Sequence, residues 1–514
     1  MMCFWNSGAP ATGERRWALV FSLVVLVGGG CPADHWGEPG PVPDGAVWSG
    51  WPVCDPAAES QTISFVHVND LHARFNPDAE GESPYARIRG YYEWLRLVNP
   101  YTVYTNGGDD HEKGSLAEIL SGGWAVQEIT AAMGFDVRVL GNHDFAWDIE
   151  EVLGFSHSDS GLVLASNVTY SGSPIEAFGA LDRGTLEVGC VTVGVFGLVS
   201  KPYDEQDEVF DGDYHADLPT DHDVVARAED IVAGLRGSVD LVVMVSHLGL
   251  DADIDLVRSV DGIDVVLGGH SHDALQEVVK AGGALIVQAG AYARYVARLD
   301  VELDLVTRAI RSHRYRLLPN EAGFLPVSDV VQTAVEDALA HHAPELFEPV
   351  GRTRHSRGAR DIARIAARAA QVILGADAAL VDTDTVWDPW AAGDLTPQDL
   401  LDSFQIERQA PGTPGFSSLY LTTLLGADLL RLDAELHSDF ELYLPEDLQA
   451  DHRYAVALQK HVAFQPDLHL PAGILLTPPW SRMEAWELLA HYARFRQSEC
   501  LYIDVDEPLE DCAP

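Results

Sequence analysis

Short apolar, β-branched runs recur through the first part of the chain, and each stops abruptly at Gly, Asn or Ser. They are Ile63–Val68, Val103–Thr105, Val137–Leu140, Leu241–Val245 and Val265–Leu267. Runs of this length closed by turn-forming residues predict buried strands. Helical patterns at Ala86–Leu97 and Ser115–Met133 lie between them, so residues 61–320 read as alternating strands and helices, an α/β arrangement. Residues 201–222, dense in Asp, Tyr and Pro, predict a surface loop. An amphipathic pattern over Val327–Phe347 then predicts a linker helix. A second α/β region comes after it, with helix signals at Ala359–Ile373 and strands at Ala378–Val381 and Ser418–Thr422.

The residues just past each strand carry the chemistry. In order these are Asp70-Leu71-His72, Gly108-Asp109-Asp110, Gly141-Asn142-His143-Asp144, Ser246-His247 and Gly269-His270-Ser271-His272, then Gln288-Ala289-Gly290. In open α/β sheets, ligands gather at the carboxyl ends of strands. Carboxylate, amide oxygen and imidazole donors converging there suit divalent Mn, Fe, Zn or Co. Asp70 and His72 stand two residues apart at a strand end, on one face, where both can reach one cation.

Composition narrows the partners. The chain has 514 residues, with 33 Lys and Arg against 79 Asp and Glu, a net charge of −46. That length predicts two or more domains. So acidic a surface argues against nucleic-acid polymers and anionic membranes as partners, since both select basic patches. An anionic substrate would need divalent cations to reverse the local field.

The N-terminus reads as an export signal over 1–30. Arg15-Arg16 precede an apolar run, Trp17–Val27, too short to span a bilayer as a mature helix, and Gly28-Gly29-Gly30-Cys31 come next. Small residues before a cysteine resemble a bacterial lipoprotein processing site. That predicts a lipid on Cys31 as the membrane link of a periplasmic or cell-surface protein, with 31–60 as a flexible tether. Gly28 stands where that pattern usually has Leu, so cleavage without lipidation is the alternative. Among the later cysteines, Cys500 and Cys512 are placed to clip the tail. Cys190, inside the run GCVTVGVFGLV, reads as a buried strand residue.

The order Asp, His, Asp, Asn, His, His-x-His resembles that of calcineurin-like metallophosphoesterases. The segments ISFVHVNDLHARF, GNHDFAWD, GIDVVLGGHSHD and VQAGAYARYVARLD resemble the bacterial 5'-nucleotidase branch of that family. The likeness covers 61–320, and more weakly 350–465. It implies a four-layer α/β sandwich of two mixed sheets flanked by helices over 61–320. A linker helix over 321–350 and a smaller α/β substrate domain over 351–514 would complete the chain. It also implies two divalent metal ions. Asp70, His72 and His272 would hold the first, Asn142, His247 and His270 the second, and Asp109 would bridge them. Asp110 also fits the bridging role, because GGDDHEKGS is one residue longer than the usual loop; Gly108 before Asp109 favours Asp109.

The resemblance further implies hydrolysis by a water or hydroxide held between the cations, in line with the leaving group. His143 would act on the substrate phosphate or leaving alkoxide without binding metal. Its helper would be Asp144 or Asp148, since Ala146 stands where nucleotidases most often have Asp; Asp144 reads equally well as a turn residue. Ser115 and Ser271 receive structural roles, and GGDDHEKG lacks the pairing of a Walker A loop.

Substrate recognition carries less signal. Such nucleotidases use an Asn-Gly-Gly-x-x-Arg loop, further arginines and two stacking aromatics. Here Asp382–Trp387 reads DTDTVW, without the Gly pair or Arg. Arg360, near Arg352, Arg354 and Arg357, is the candidate anion contact, and Trp387, Phe404 or Trp390 the candidate stacking surface. Weak discrimination among nucleobases is therefore expected. The expected activity is hydrolysis of small phosphate monoesters, foremost nucleoside 5'-phosphates. The alternatives are a phosphodiesterase or pyrophosphatase acting on cyclic nucleotides or nucleotide-sugars, and a non-catalytic metal-binding lipoprotein.

Overall fold

Two six-stranded sheets are built from β1 (Ser60–Val68), β2 (Thr102–Asn106), β3 (Val137–Val139), β4 (Leu162–Leu164), β5 (Arg183–Val188), β6 (Val191–Val199), β7 (Leu241–His247), β8 (Val265–Gly268), β9 (Val279–Ala281), β10 (Ala284–Gln288), β11 (Tyr295–Asp304) and β12 (Ile310–Pro319). The computed structural model describes residues 50–509, apart from 113, 148–160, 171–172, 175–179, 201–223, 405–406, 411–412, 416, 437–438, 460–461, 463–467, 469 and 471–481. The expected leader, Cys31, Asp148, the 201–222 loop and Cys512 lie outside the described residues.

The first sheet runs β12-β11-β1-β2-β3-β4 and the second β9-β10-β8-β7-β6-β5. Strands β1 to β4 are parallel, with β11 and β12 antiparallel at one edge. In the second sheet β6, β7, β8 and β10 are parallel, with β5 and β9 antiparallel at the edges. Both sheets are therefore mixed, and their parallel strands put carboxyl ends side by side.

Alternation along the strands divides the cores. Ile63, Phe65, Val103, Val139, Val193, Val243 and Leu267 pack between the sheets. The opposite faces of β1 and β2 bury Val66, Val68 and Tyr104 against Ile88, Leu95 and Ile129 of helices Pro84–Val98 and Trp124–Met133. On the second sheet Val242, Met244 and Val266 meet Ile231 and Leu256 of helices Val224–Leu235 and Leu250–Ser259. These are the four expected layers. The stretch Ser115–Met133 is two helices, Leu116–Ser121 and Trp124–Met133, because Gly122 and Gly123 turn left-handed at φ 64° and 88°. No helix among the described residues is long and apolar enough to cross a membrane.

The C-terminal part carries a five-stranded sheet in the order Phe440–Tyr443, Ala378–Asp382, Arg453–Gln459, Leu419–Leu425, Arg482–Met483. It shares a continuous core with the first part, since Ile362, Leu400, Phe404 and Leu488 join Val68 and Ile129 in one cluster. Helix Pro397–Asp402 docks on the loop after β2. Gln398 donates to Gly114 O at 2.8 Å and accepts from Leu116 N at 2.9 Å, and Arg74 pairs with Asp402 at 3.0 Å.

One cysteine assignment changes. Cys190 is no strand residue: it stands in the turn between β5 and β6 and is disulfide-bonded to Cys54, 136 positions away. The apolar run around it belongs to β6, which begins one residue later. Cys500 is also disulfide-bonded.

Candidate metal centre

Every expected ligand lies at or just past the carboxyl end of a strand. Asp70 and His72 come after β1, Asp109 after β2 and Asn142 after β3. His247 ends β7, and His270 and His272 come after β8. Five of these seven residues hold left-handed backbone, Asp70 at φ 52°, His72 at 48°, Asp109 at 58°, His270 at 76° and His272 at 60°. Each non-glycine residue held there costs on the order of 1–3 kcal/mol, so the surrounding loops must enforce it. Asp70 N–H donates to Gly108 O at 2.8 Å and His72 N–H to Asp109 O at 2.9 Å, lacing the two ligand loops together. A side chain at Gly141 would place its Cβ 2.1 Å from Asp109 Oδ1, so only glycine fits there.

The side chains form two groups. In the first, His72 Nε2 and His272 Nε2 are 3.2 Å apart, with Asp70 Oδ1 3.3 Å from His272 Nε2. In the second, His270 Nδ1 is 2.9 Å and His247 Nε2 3.1 Å from Asn142 Oδ1. Asp109 Oδ2 stands between them, 3.0 Å from His247 Nε2 and 3.8 Å from His72 Nε2. Within each cluster, Asp70–His72–His272 and Asp109–His247–His270, the donor atoms lie within 4.8 Å of one another.

This donor set fits divalent cations. His247 Nδ1 meets Gly107 O at 2.6 Å and His72 Nδ1 meets His111 O at 3.0 Å. Only a protonated Nδ1 satisfies a carbonyl, which leaves each Nε2 lone pair aimed at the cluster, as metal-bound imidazoles require. The electrostatics of the cluster reflect its crowding. Burial opposes the charge on His247, yet Asp109 and Asp70 raise it to about 10, while burial and His247 lower His270 to about 4. Against its own burial, the Asp109 carboxyl is held far below the usual range by His247 and His143. A divalent cation held here would take the place of the proton that His247 and Asp109 share.

The structure brings Asp109, not Asp110, to the histidines. Asp110 accepts from Asn106 at 2.6 Å and pairs with Arg138 at 3.0 Å in a buried network. Asp144 commits both oxygens to backbone amides, from Gly141 at 2.7 Å, Asp110 at 2.8 Å, Asp109 at 3.2 Å and His111 at 3.3 Å. It is the turn residue of the two readings. The group that meets His143 Nδ1 is Glu112, a fully buried carboxylate in the lengthened loop. His143 N–H donates to Asp109 Oδ1 at 2.7 Å, and its ring lies 5.0 Å from that of His72. The sequence signal for Glu112 was an extra acidic residue in that loop together with Ala146.

Two further residues went unread. Asn69 donates to Asp70 Oδ2 at 2.5 Å and to Gly290 O at 2.6 Å, and accepts from Ala289 N at 2.7 Å, which orients the first carboxylate. Tyr292 lies 5.2 Å, ring to ring, from both His72 and His272.

In the C-terminal part the substrate candidates scatter. Phe404, expected to stack on a ring, is 2 % exposed inside the core and cannot. Trp390 is buried likewise and donates to Ser403 at 2.6 Å. Arg352, Arg357 and Arg360 pair with Asp394, Asp504 and Glu441. Trp387 remains 46 % exposed. Ser115 caps helix Leu116–Ser121, and Ser271 donates to Asp273 at 2.7 Å.

Residues 63–274, which span all seven candidate ligands but none of the C-terminal sheet, match the calcineurin-like phosphoesterase family. The chain carries a calcineurin-like phosphoesterase domain. Similar proteins include an apyrase of Tabanus yao, 28% identical over 270 residues (46% of this chain, 48% of the relative), and the 5'-nucleotidase of Homo sapiens, 24% identical over 298 residues (52% and 51%). The chain thus spans about half the length of the curated relatives it matches. Among solved structures, the 5'-nucleotidase precursor of Thermus thermophilus aligns with a TM-score of 0.60 at 18% identity, covering 85% of this chain and 96% of its own. The sulfate thiohydrolase SoxB of the same genus aligns at 0.61 and 18%, covering 88% and 96%. At such identity these two show the fold, and they extend it across the C-terminal part beyond the phosphoesterase domain.

Proposed function

We propose that this chain is an exported, two-metal phosphoric ester hydrolase acting on small phosphate monoesters, foremost nucleoside 5'-phosphates. The observation that carries the reading is the Asp109 carboxylate set between two histidine clusters, with a non-ligating histidine beside it. Asp70, His72 and His272 would hold one ion, Asn142, His247 and His270 the other, and Asp109 both. When bound, divalent ions supply Lewis acidity that activates water and offsets charge on phosphoryl oxygens.

The chain's own residues do the rest. Glu112 holds His143 Nδ1, which leaves Nε2 as the nitrogen that carries a proton to the departing alkoxide. Asn69 and the backbone lacing fix the first carboxylate. Burial of Asp70, His72, Asp109 and His247 keeps water from the ligand atoms. Export is supported by the leader and by the Cys54–Cys190 disulfide, a bond that persists in oxidising compartments. A lipid on Cys31 is the proposed membrane link. With the nearby arginines paired and Phe404 buried, weak selection among bases remains our reading of the C-terminal part.

Purified protein loaded with Mn tests this. Elemental analysis should find close to two divalent ions per chain, and p-nitrophenyl phosphate should turn over faster than its bis ester. Nucleoside monophosphates should differ among bases by no more than about 10–200-fold. Faster turnover of the bis ester would make the protein a phosphodiesterase, and two bound ions without turnover would make it a binding protein.

A further inference from the structure

A chain with 79 acidic and 33 basic residues neutralises most of its arginines, so an unpaired arginine beside the metal cluster asks for a reason. Arg294 is exposed, and its guanidinium has no ion pair or hydrogen bond among the described residues. It lies over the Tyr292 ring, 5.3 Å from the centroid, and Arg74 is 5.8 Å from the same ring. Tyr292 in turn touches His72 and His272, both in the first ligand group.

The backbone is fixed while the side chain is free. Tyr292 and Ala293 hold left-handed φ of 59° and 55°, and Tyr292 N–H donates to Asp70 O at 2.7 Å. Arg294 N–H donates to Ala291 O at 3.2 Å, and its carbonyl accepts from Asn320 N–H at 2.8 Å. Contact with a ring face holds a guanidinium while its N–H edge stays available. Arg74 is tied to Asp402 through one nitrogen, whereas Arg294 has no ion pair among the described residues.

We infer that Arg294, seated on Tyr292, binds a second oxyanion of the substrate, beyond the scissile phosphoryl group. The favoured substrates then carry two neighbouring phosphates, as nucleoside diphosphates do. This rests on the proposed phosphoesterase function for the position of the first phosphate. A guanidinium fork matches phosphate oxygens bidentately, which an ammonium cannot do.

The test uses binding, so that it reads without turnover. On the Mn-loaded full-length protein, calorimetry compares methylenediphosphonate with methylphosphonate. Tighter binding of the diphosphonate is expected, and Arg294→Gln should reduce that advantage by about 10- to 100-fold. Arg294→Lys should retain part of it. The inference is overturned if the native protein shows no advantage, or if the Gln variant keeps it. A lost advantage in Arg294→Gln with no hydrolysis of any ester would uphold the subsite and refute the enzyme reading instead.

Discussion

The two halves of this protein treat their chemistry-bearing side chains in opposite ways. In the phosphoesterase domain, acids and histidines converge on left-handed loops, with like groups 3.2 Å apart and no room for another side chain at Gly141. In the C-terminal half the arginines are neutralised by Asp394, Asp504 and Glu441, and Phe404 and Trp390 sink into the core while Trp387 stays exposed. The first arrangement is costly unless a cation occupies it; the second is what an ordinary fold does to stabilise itself. Crowded groups of ligand type therefore mark a site better than residue type alone does.

The comparison breaks first at His143. His143→Ala should lower turnover by about 10²–10⁴-fold while metal content stays constant, because the residue holds no ion. Glu112→Gln should produce a smaller loss of the same kind, in kcat more than in KM. If elemental analysis finds metal lost with activity, His143 belongs among the ligands.

The C-terminal half is sharpened by its two aromatics. Phe404→Ala should cost about 3–5 kcal/mol in chemical denaturation, as large-to-small core changes do. Trp387→Ala should cost less than about 1 kcal/mol. Equal costs would mean that Trp387 is also a packing residue, and the last stacking candidate would go with it.

A smaller effect concerns Asp253, on the helix behind β8. Burial pushes it up to about 7, well above the ordinary carboxylate value, against the opposing Ser246 hydrogen bond and His247 charge. Its Oδ2 has no partner among the described residues. The folded protein thus holds this proton more tightly than the unfolded chain. The resulting stability is full below about pH 4 and declines as pH rises to about 7. Asp253→Asn, neutral throughout, should remove that decline, so the variant gains on the native protein between about pH 5 and pH 8. Parallel stability curves over that range would show Asp253 already ionised.

The metal half was legible because strand-ending runs and ligand types are both local. Val68 leading to Asp70 and Leu267 leading to His270 announce a strand and its terminus within a few residues. The helix patterns read at Ala86–Leu97 and Ala359–Ile373 correspond to helices, Gly122-Gly123 divided a third pattern into two, and helices such as Val224–Leu235 and Ala485–Ser498 were not read. Glu112 was harder: the sequence offered its acid in a lengthened loop, but only the fold turned that loop toward His143. The pairing of Cys54 with Cys190 carried no local signal, since 136 residues separate them.

By itself, then, the sequence determined the α/β class, the strand termini and the residue types that gather there, because periodicity and ligand chemistry act over short stretches. Tertiary structure decided which of Asp109 and Asp110 faces the histidines, that Asp144 serves the backbone, that Phe404 is core, and that Arg294 lies on Tyr292 beside the cluster. Each of those choices depends on which way a side chain points and on which distant segment meets it. Packing of two sheets and their helices sets both, and no stretch of chain contains that information alone.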